Sequence, residues 1–156
     1  MARANVYYDV ESASGEDDAV SRMTAPGYDP RHTAVVEGVS LPAGDAAPMP
    51  ARVTSYRDDR AAIEVDTPHA GLLVLTDAYF PGWEATLDGR QATIHAANLA
   101  FRGIVVPAGH HTVVMSYAPS SWRHGLEGAA GSLILFLLAA YVAAPALARW
   151  RRGRYS

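Results

Sequence analysis

The chain of 156 residues contains no cysteine and no lysine. Without cysteine it has neither a disulfide framework nor a thiolate metal site. All 13 basic residues are arginine, which we attribute to a GC-rich bacterial coding bias. The sequence also lacks a glycine-rich phosphate loop, a G-x-S-x-G elbow and an Asn-x-Ser/Thr glycosylation site. We therefore assign no catalytic residue.

The six histidines form no metal-ligand pattern. His110 and His111 are adjacent, so in a strand their side chains point to opposite faces and do not readily share a metal ion. His69, His95 and His124 have no histidine or carboxylate at ligand spacing. We therefore predict no metal site and no cofactor.

An uncharged stretch runs from Gly128 to Ala148. About 20 such residues in a helix span the hydrocarbon core of a bilayer, so we predict a transmembrane helix over 121–149. Arginines and a tryptophan follow it, and the basic tail 150–156 is typical of the cytoplasmic side. We expect the bacterial cytoplasmic membrane, with the preceding domain extracytoplasmic and the C-terminus cytoplasmic.

Small residues recur at helical spacing along the first part of the predicted membrane helix. Gly125, Gly128 and Ser132 lie three and four positions apart, and such stripes let transmembrane helices approach closely. We predict these residues as helix-packing candidates against upstream transmembrane helices of the same or a partner protein. A plain anchor without such packing remains the alternative.

The N-terminus has no apolar region typical of a signal peptide. Since an extracytoplasmic domain needs an export route, we expect the chain to be the C-terminal piece of a longer polytopic protein. A tail-anchored protein with a cytoplasmic domain is the alternative, although it contradicts the positive-inside rule. Residues 1–127 carry nine arginines and sixteen acidic residues, and this acidic balance argues against nucleic acid as a partner.

The remaining sequence predicts a mainly β fold, an antiparallel β-sandwich or jelly-roll-like domain over 51–119. A small αβ segment over 1–41 precedes it, and the proline-rich stretch 41–50 is typical of a linker. Short β-rich runs separated by turns support this assignment. We predict strands over 4–11, 33–37, 51–56, 61–66, 72–78, 99–106 and 112–117, and a helix over 16–24.

The clearest local feature is a hairpin over residues 83–95. Asp88-Gly89 is the dipeptide that favours a type I′ turn, because both central residues adopt positive φ. The turn predicts that Leu87 pairs with Arg90, Ala85 with Ala92 and Trp83 with Ile94 on one face. On the other face it predicts that Thr86 pairs with Gln91 and Glu84 with Thr93. This register places apolar residues on one face and polar residues on the other.

The sequence resembles the C-terminal region of the YfhO family of bacterial membrane proteins. The resemblance rests on YFPGW at 79–83, DG at 88–89, AN and FR between 97 and 102, VPAGHH at 106–111 and YAP at 117–119. It implies a large polytopic protein with an architecture similar to lipid-linked-sugar glycosyltransferases. It also implies that the catalytic acids lie in loops upstream of this chain.

Six residues are candidates for binding a glycan. Aromatic rings stack on sugars, and carboxylate, amide and guanidinium groups bond to hydroxyl or phosphate oxygens. The alternative is packing of Trp83 in the core and a structural role for the polar residues. The candidates are Asp77, Tyr79, Trp83, Glu84, Asn98 and Arg102, with Phe80 beside them.

We expect a non-catalytic accessory in the transfer of lipid-linked sugars to cell-envelope glycans, such as teichoic-acid-type glycosylation. Its expected partners are the membrane, upstream transmembrane helices and an envelope glycan or lipid-linked sugar. The alternative is a purely structural or oligomerisation module of a polytopic membrane protein.

Overall fold

The fold is described from a computed structural model, which defines residues 2–42 and 44–119. The membrane helix predicted over 121–149, its packing candidates Gly125, Gly128 and Ser132, and the basic tail lie outside the described residues. Within the described ranges, no helix has the length and apolarity that a bilayer crossing requires. The chain up to Ala118 belongs to one compact unit.

The described residues form twelve strands and one short helix. The strands make a seven-stranded sheet of order β2-β3-β10-β11-β7-β1-β4 and a five-stranded sheet of order β5-β6-β12-β8-β9. In chain order the elements are β1 (Ala4–Tyr7), β2 (Asp9–Ala13), α1 (Glu16–Met23), β3 (Thr33–Glu37), β4 (Met49–Pro50), β5 (Arg52–Arg57), β6 (Arg60–Thr67), β7 (Gly71–Ala78), β8 (Trp83–Leu87), β9 (Arg90–Ala92), β10 (His95–Ala97), β11 (Phe101–Val106) and β12 (Gly109–Tyr117).

Pairing within the two sheets is antiparallel except between β2 and β3, which run parallel. The prediction of a mainly β fold is therefore confirmed.

Strand β7 is buried on both faces, as its continuous apolar sequence predicts. Leu73 and Leu75 belong to a core cluster shared with residues of β6, β8, β11 and β12, so this core joins the two sheets. Leu72 and Val74 point the other way, into a second cluster with residues of β3 and β10. Both clusters exclude water from β7, which lies between β11 and β1 in the larger sheet.

The hairpin β8–β9 has the predicted turn and register. Asp88 has φ of 50° and Gly89 has φ of 77°, the two positive values that a type I′ turn needs. The predicted pairs of Ala85 with Ala92, Thr86 with Gln91 and Leu87 with Arg90 are all present. The turn and these three pairs are confirmed. The predicted pairs of Trp83 with Ile94 and of Glu84 with Thr93 do not form, because β9 ends at Ala92.

The N-terminal segment predicted over 1–41 supplies strands to the seven-stranded sheet. β1 lies between β7 and β4, and Ala4, Val6 and Tyr8 contribute to the core that joins the two sheets. Tyr8 also separates β1 from β2, where a single strand over 4–11 was expected. Its hydroxyl lies 2.7 Å from the Thr67 hydroxyl oxygen, which fixes the chain at this break.

One other strand boundary differs from the prediction, and two short strands were not predicted. The strand predicted from Leu99 begins at Phe101, because Asn98 and Leu99 adopt φ of 47° and 68° and form a turn. Strands β4 and β10 have two and three residues, and segments this short carry too few positions to show a period of two.

Candidate functional site

One end of the domain, which we call the exit end, carries the last described residues of the compact unit. Here the loop 79–82 between β7 and β8 lies between two other segments, the turn 98–100 and the end of β12. Two backbone hydrogen bonds join these segments: Tyr79 N donates to Ala100 O at 2.7 Å and Ala118 N donates to Gly82 O at 2.7 Å. A third, from Tyr117 N to Asp59 O at 2.8 Å, joins the end of β12 to the turn between β5 and β6. The exit end is therefore a single structure built from segments that are distant in sequence.

A cleft of about 540 Å³ lies between the loop 79–82 and the hairpin β8–β9. Aromatic side chains come from the loop and the first residue of β8, and polar side chains come from the hairpin. Its volume is within the range typical of small-molecule sites. Its lining includes Tyr79, Phe80, Trp83, Glu84, Gln91 and Thr93.

The aromatic residues at the cleft contact one another edge to face or at a tilt. The Phe80 ring centroid is 6.3 Å from that of Trp83 and 5.4 Å from that of Tyr117. Trp83 and Tyr117 are 5.5 Å apart. Tyr79, Phe80 and Tyr117 remain 42%, 44% and 39% exposed, whereas Trp83 packs against the core. Trp83 thus connects an exposed aromatic surface to the interior.

A buried cation lies against the Trp83 ring. The guanidinium carbon of Arg102 is 3.7 Å from the ring centroid, and the Arg102 side chain is 3% exposed. Its Nη2 donates to the Asp77 carboxylate at 3.0 Å, and Arg3 donates to the same carboxylate from the surface at 3.1 Å. This arrangement fixes Trp83 from the interior by a cation–π contact.

Burial lowers the pKa of Arg102 below its usual 12.5, while the Asp77 carboxylate acts in the opposite direction. The guanidinium stays charged, because arginine is not deprotonated in proteins. Arg102 Nε and Nη1 and Trp83 Nε1 are buried without a hydrogen-bond partner among the described residues. Arg102 and Asp77 therefore support the cleft from below, and neither presents a free group at its surface.

Asn98 lies in the turn before β11 and faces β3. Its Oδ1 accepts from the backbone N–H of Val35 at 2.8 Å and from the Tyr28 hydroxyl at 3.4 Å. The Asn98 N–H donates to the Val35 carbonyl at 2.7 Å. These bonds join the turn to β3. Asn98 therefore has the structural role that was the alternative to ligand binding.

A second polar contact lies at the hairpin turn, away from the exit end. His111 Nδ1 is 2.7 Å from Asp88 Oδ2, and Asp88 Oδ1 accepts the backbone N–H of Thr112 at 2.8 Å. The contact links the turn of β8–β9 to β12. In the described ranges no group of three histidine, aspartate or glutamate side chains has metal-binding geometry.

The structure brings together some of the predicted site residues. Tyr79, Trp83 and Glu84 line the cleft with Phe80, while Asp77 and Arg102 lie beneath it. Tyr117, Arg3, Gln91 and Thr93 also belong to the cleft or its surroundings and were not identified from sequence. The predicted pairing of Thr86 with Gln91 and of Glu84 with Thr93 puts Gln91 and Thr93 on the polar face of the hairpin. Arg3, in contrast, is 74 positions from Asp77, and no local signal joins them.

A scan of protein families matches residues 45–127 to the family described as bacterial membrane protein YfhO. The chain belongs to the YfhO family. The matched region contains strands β4 to β12, so the cleft and every segment of the exit end lie inside the part shared with YfhO. The resemblance inferred from the sequence is thereby confirmed. No curated protein and no solved structure matches the chain.

Proposed function

We propose that this part of a YfhO-type membrane protein is a non-catalytic, extracytoplasmic recognition module. It binds a saccharide of the cell envelope, free or lipid-linked, in the cleft beside the hairpin β8–β9. An anchoring helix over 121–149 and upstream transmembrane helices hold it to the cytoplasmic membrane. The observation that carries the proposal is the combination in one cleft of exposed aromatic rings and a row of polar side chains.

The chemistry of the cleft suits a sugar. A pyranose ring has an apolar face that stacks on aromatic rings and hydroxyls that need hydrogen-bond partners. Tyr79 and Phe80 are exposed at the cleft, and Glu84, Gln91 and Thr93 present carboxylate, amide and hydroxyl groups. A single carboxylate does not make a glycosidase pair, so the proposed role is binding and orientation.

Arg102 and Asp77 are assigned a positioning role in this proposal. Because Arg102 is buried against Trp83 and paired with Asp77, it holds the Trp83 ring at the cleft wall and does not bond the sugar. Asn98 is assigned to the connection with β3.

The test is an NMR titration of the isotopically labelled full chain in detergent micelles with glucose, galactose and N-acetylglucosamine disaccharides. We expect saturable shifts of residues 79–85 and 91–94. Phe80→Ala removes a stacking ring and should weaken binding about tenfold. The control is Val20→Ala, since Val20 on α1 is similarly exposed but does not line this cleft.

Shifts that survive unchanged in Phe80→Ala and Tyr79→Ala, or no shift with any saccharide, would contradict the proposal. That outcome would favour a purely structural module. One observation favours this second candidate: Asp77, Asn98 and Arg102 are all engaged in contacts within the domain.

A further inference from the structure

The exit end exposes four large apolar side chains that the domain itself does not cover. They come from the loop 79–82, the turn 98–100 and the last residue of β12, which the backbone hydrogen bonds described above hold together. Their exposed fractions lie between 36% and 44%. A contiguous apolar surface of this kind marks an interaction site. The four residues, here called the apolar tip, are Tyr79, Phe80, Leu99 and Tyr117.

The position of the apolar tip in the chain indicates what covers it. Tyr117 belongs to the tip, and only residues 118–127 separate it from the uncharged stretch that begins at Gly128. The compact unit ends at Ala118, whose N–H is bonded to the loop that carries Tyr79 and Phe80. The chain therefore leaves the domain beside the apolar tip and ten residues later enters its long uncharged stretch.

The chemistry of the tip matches the interface of a bilayer. Tyrosine is enriched at the level of the lipid headgroups, where an apolar ring and a polar hydroxyl are both accommodated. Phe80 and Leu99 add purely apolar area to that of the two tyrosines. We propose that the apolar tip inserts into the headgroup region of the membrane, so that the β-domain itself contacts lipid.

The charges around the tip favour an apolar contact over an electrostatic one. The neighbouring turn Arg57-Asp58-Asp59-Arg60 carries two charges of each sign, and residues 1–127 together carry an excess of acidic side chains. An acidic domain is not attracted to anionic lipids. Insertion therefore depends on burial of apolar area, and it should respond little to salt or to the fraction of anionic lipid.

The absence of cysteine makes a direct measurement possible, because each introduced cysteine is unique. Phe80→Cys and Leu99→Cys place a nitroxide spin label at the tip. Arg90→Cys is the control, since exposed Arg90 follows the hairpin turn at the opposite end of β8 from Trp83. The full chain is reconstituted in phosphatidylcholine vesicles, and the accessibility of each label to oxygen and to a water-soluble nickel complex is measured.

The lipid contact predicts a higher oxygen-to-nickel accessibility ratio at 80 and 99 than at 90, with the same difference in vesicles that contain anionic lipid. Tip labels with the ratio of the control would overturn the proposal in favour of a solvent-exposed tip. Tip labels shielded from both reagents would overturn it in favour of a protein partner. The circular dichroism of each variant verifies that the fold is retained.

This proposal does not depend on saccharide binding. If saccharides shift the NMR signals and the tip labels are not in lipid, the lipid contact is wrong and the proposed function stands. If the tip labels are in lipid and no saccharide shifts the signals, the proposed function is wrong and the lipid contact stands.

Discussion

At position 89 the backbone, not the packing, decides which side chains are tolerated. A Cβ built on Gly89 has nothing within 4 Å, yet its φ is +77°. We predict that Gly89→Val lowers the free energy of unfolding by about 1 kcal/mol or more, because β-branched residues are strained at positive φ. Chemical denaturation measures the change.

Gly89→Asn is the matched variant, since asparagine tolerates the left-handed region far better than valine. It should lose much less stability than Gly89→Val. Equal losses in the two variants would contradict the assignment of a strained backbone at the turn.

Asp77 accepts hydrogen bonds from two arginines that differ in burial, and this difference predicts a difference in stability. Arg102 is 3% exposed and Arg3 is 49% exposed. Removing one partner of a buried ion pair costs about 3–5 kcal/mol, whereas exposed pairs contribute about 0–1 kcal/mol. We predict that Arg102→Met destabilises the domain severely and that Arg3→Met has a small effect.

Denaturant unfolding followed by tryptophan fluorescence measures both changes. A similar small loss in the two variants would mean that the contact of Arg102 with Asp77 and Trp83 does not hold the cleft wall.

At the scale of elements, the hairpin turn is linked to β12 by a pair whose charge depends on pH. The hydrogen bond from His111 lowers the pKa of Asp88 below its usual 3.8, and the Asp88 carboxylate raises the pKa of His111 above its usual 6.5. The ionised Asp88 stabilises the fold above pH 3.8, and this contribution is lost as pH falls through its lowered pKa. The protonated His111 stabilises it fully below pH 6.5, and this contribution is lost as pH rises through its raised pKa.

We therefore predict that the free energy of unfolding falls as pH rises above 6.5 and through the raised pKa of His111. His111→Gln should reduce this dependence, whereas His110→Gln, on the opposite face of β12, should retain it. Denaturant unfolding at several pH values is the measurement. An unchanged pH dependence in His111→Gln would refute the role of the pair.

The same scale shows which elements the sequence reveals and why. The hairpin β8–β9 was predicted with its register because the turn dipeptide and the alternation of side chains act over fewer than ten residues. Strand β7 was predicted because burial on both faces leaves a continuous apolar run. Strands β4 and β10 were not predicted, because their own sequences carry no strand pattern. β4 forms by pairing with β1, and β10 forms by pairing with β3 and β11.

At the scale of the whole molecule, the N-terminal strands complete the core. β1 lies between β7 and β4, and Ala4, Val6 and Tyr8 pack in the cluster that joins the sheets. We predict that deletion of residues 2–13 abolishes cooperative unfolding of the remaining domain, because β7 loses β1, one of its two antiparallel neighbours, and the core loses buried area. Near-ultraviolet circular dichroism during denaturation reports the loss.

Deletion of residues 152–156 is the control, since it leaves the described unit intact. A sharp unfolding transition in the variant that lacks residues 2–13 would contradict the prediction and show that the rest of the domain folds without β1 and β2.

The sequence by itself determined the membership in the YfhO family, the mainly β character, the hairpin register and the aromatic loop at 79–83. These features depend on spacing and turn chemistry within short stretches of chain. Only the tertiary structure decided that Arg102 lies buried against Trp83, that Arg3 shares Asp77, and that Tyr117 and Leu99 join Tyr79 and Phe80 at one end. Such contacts depend on how strands far apart in sequence are ordered in the sheets, and no local preference of the residues encodes that order.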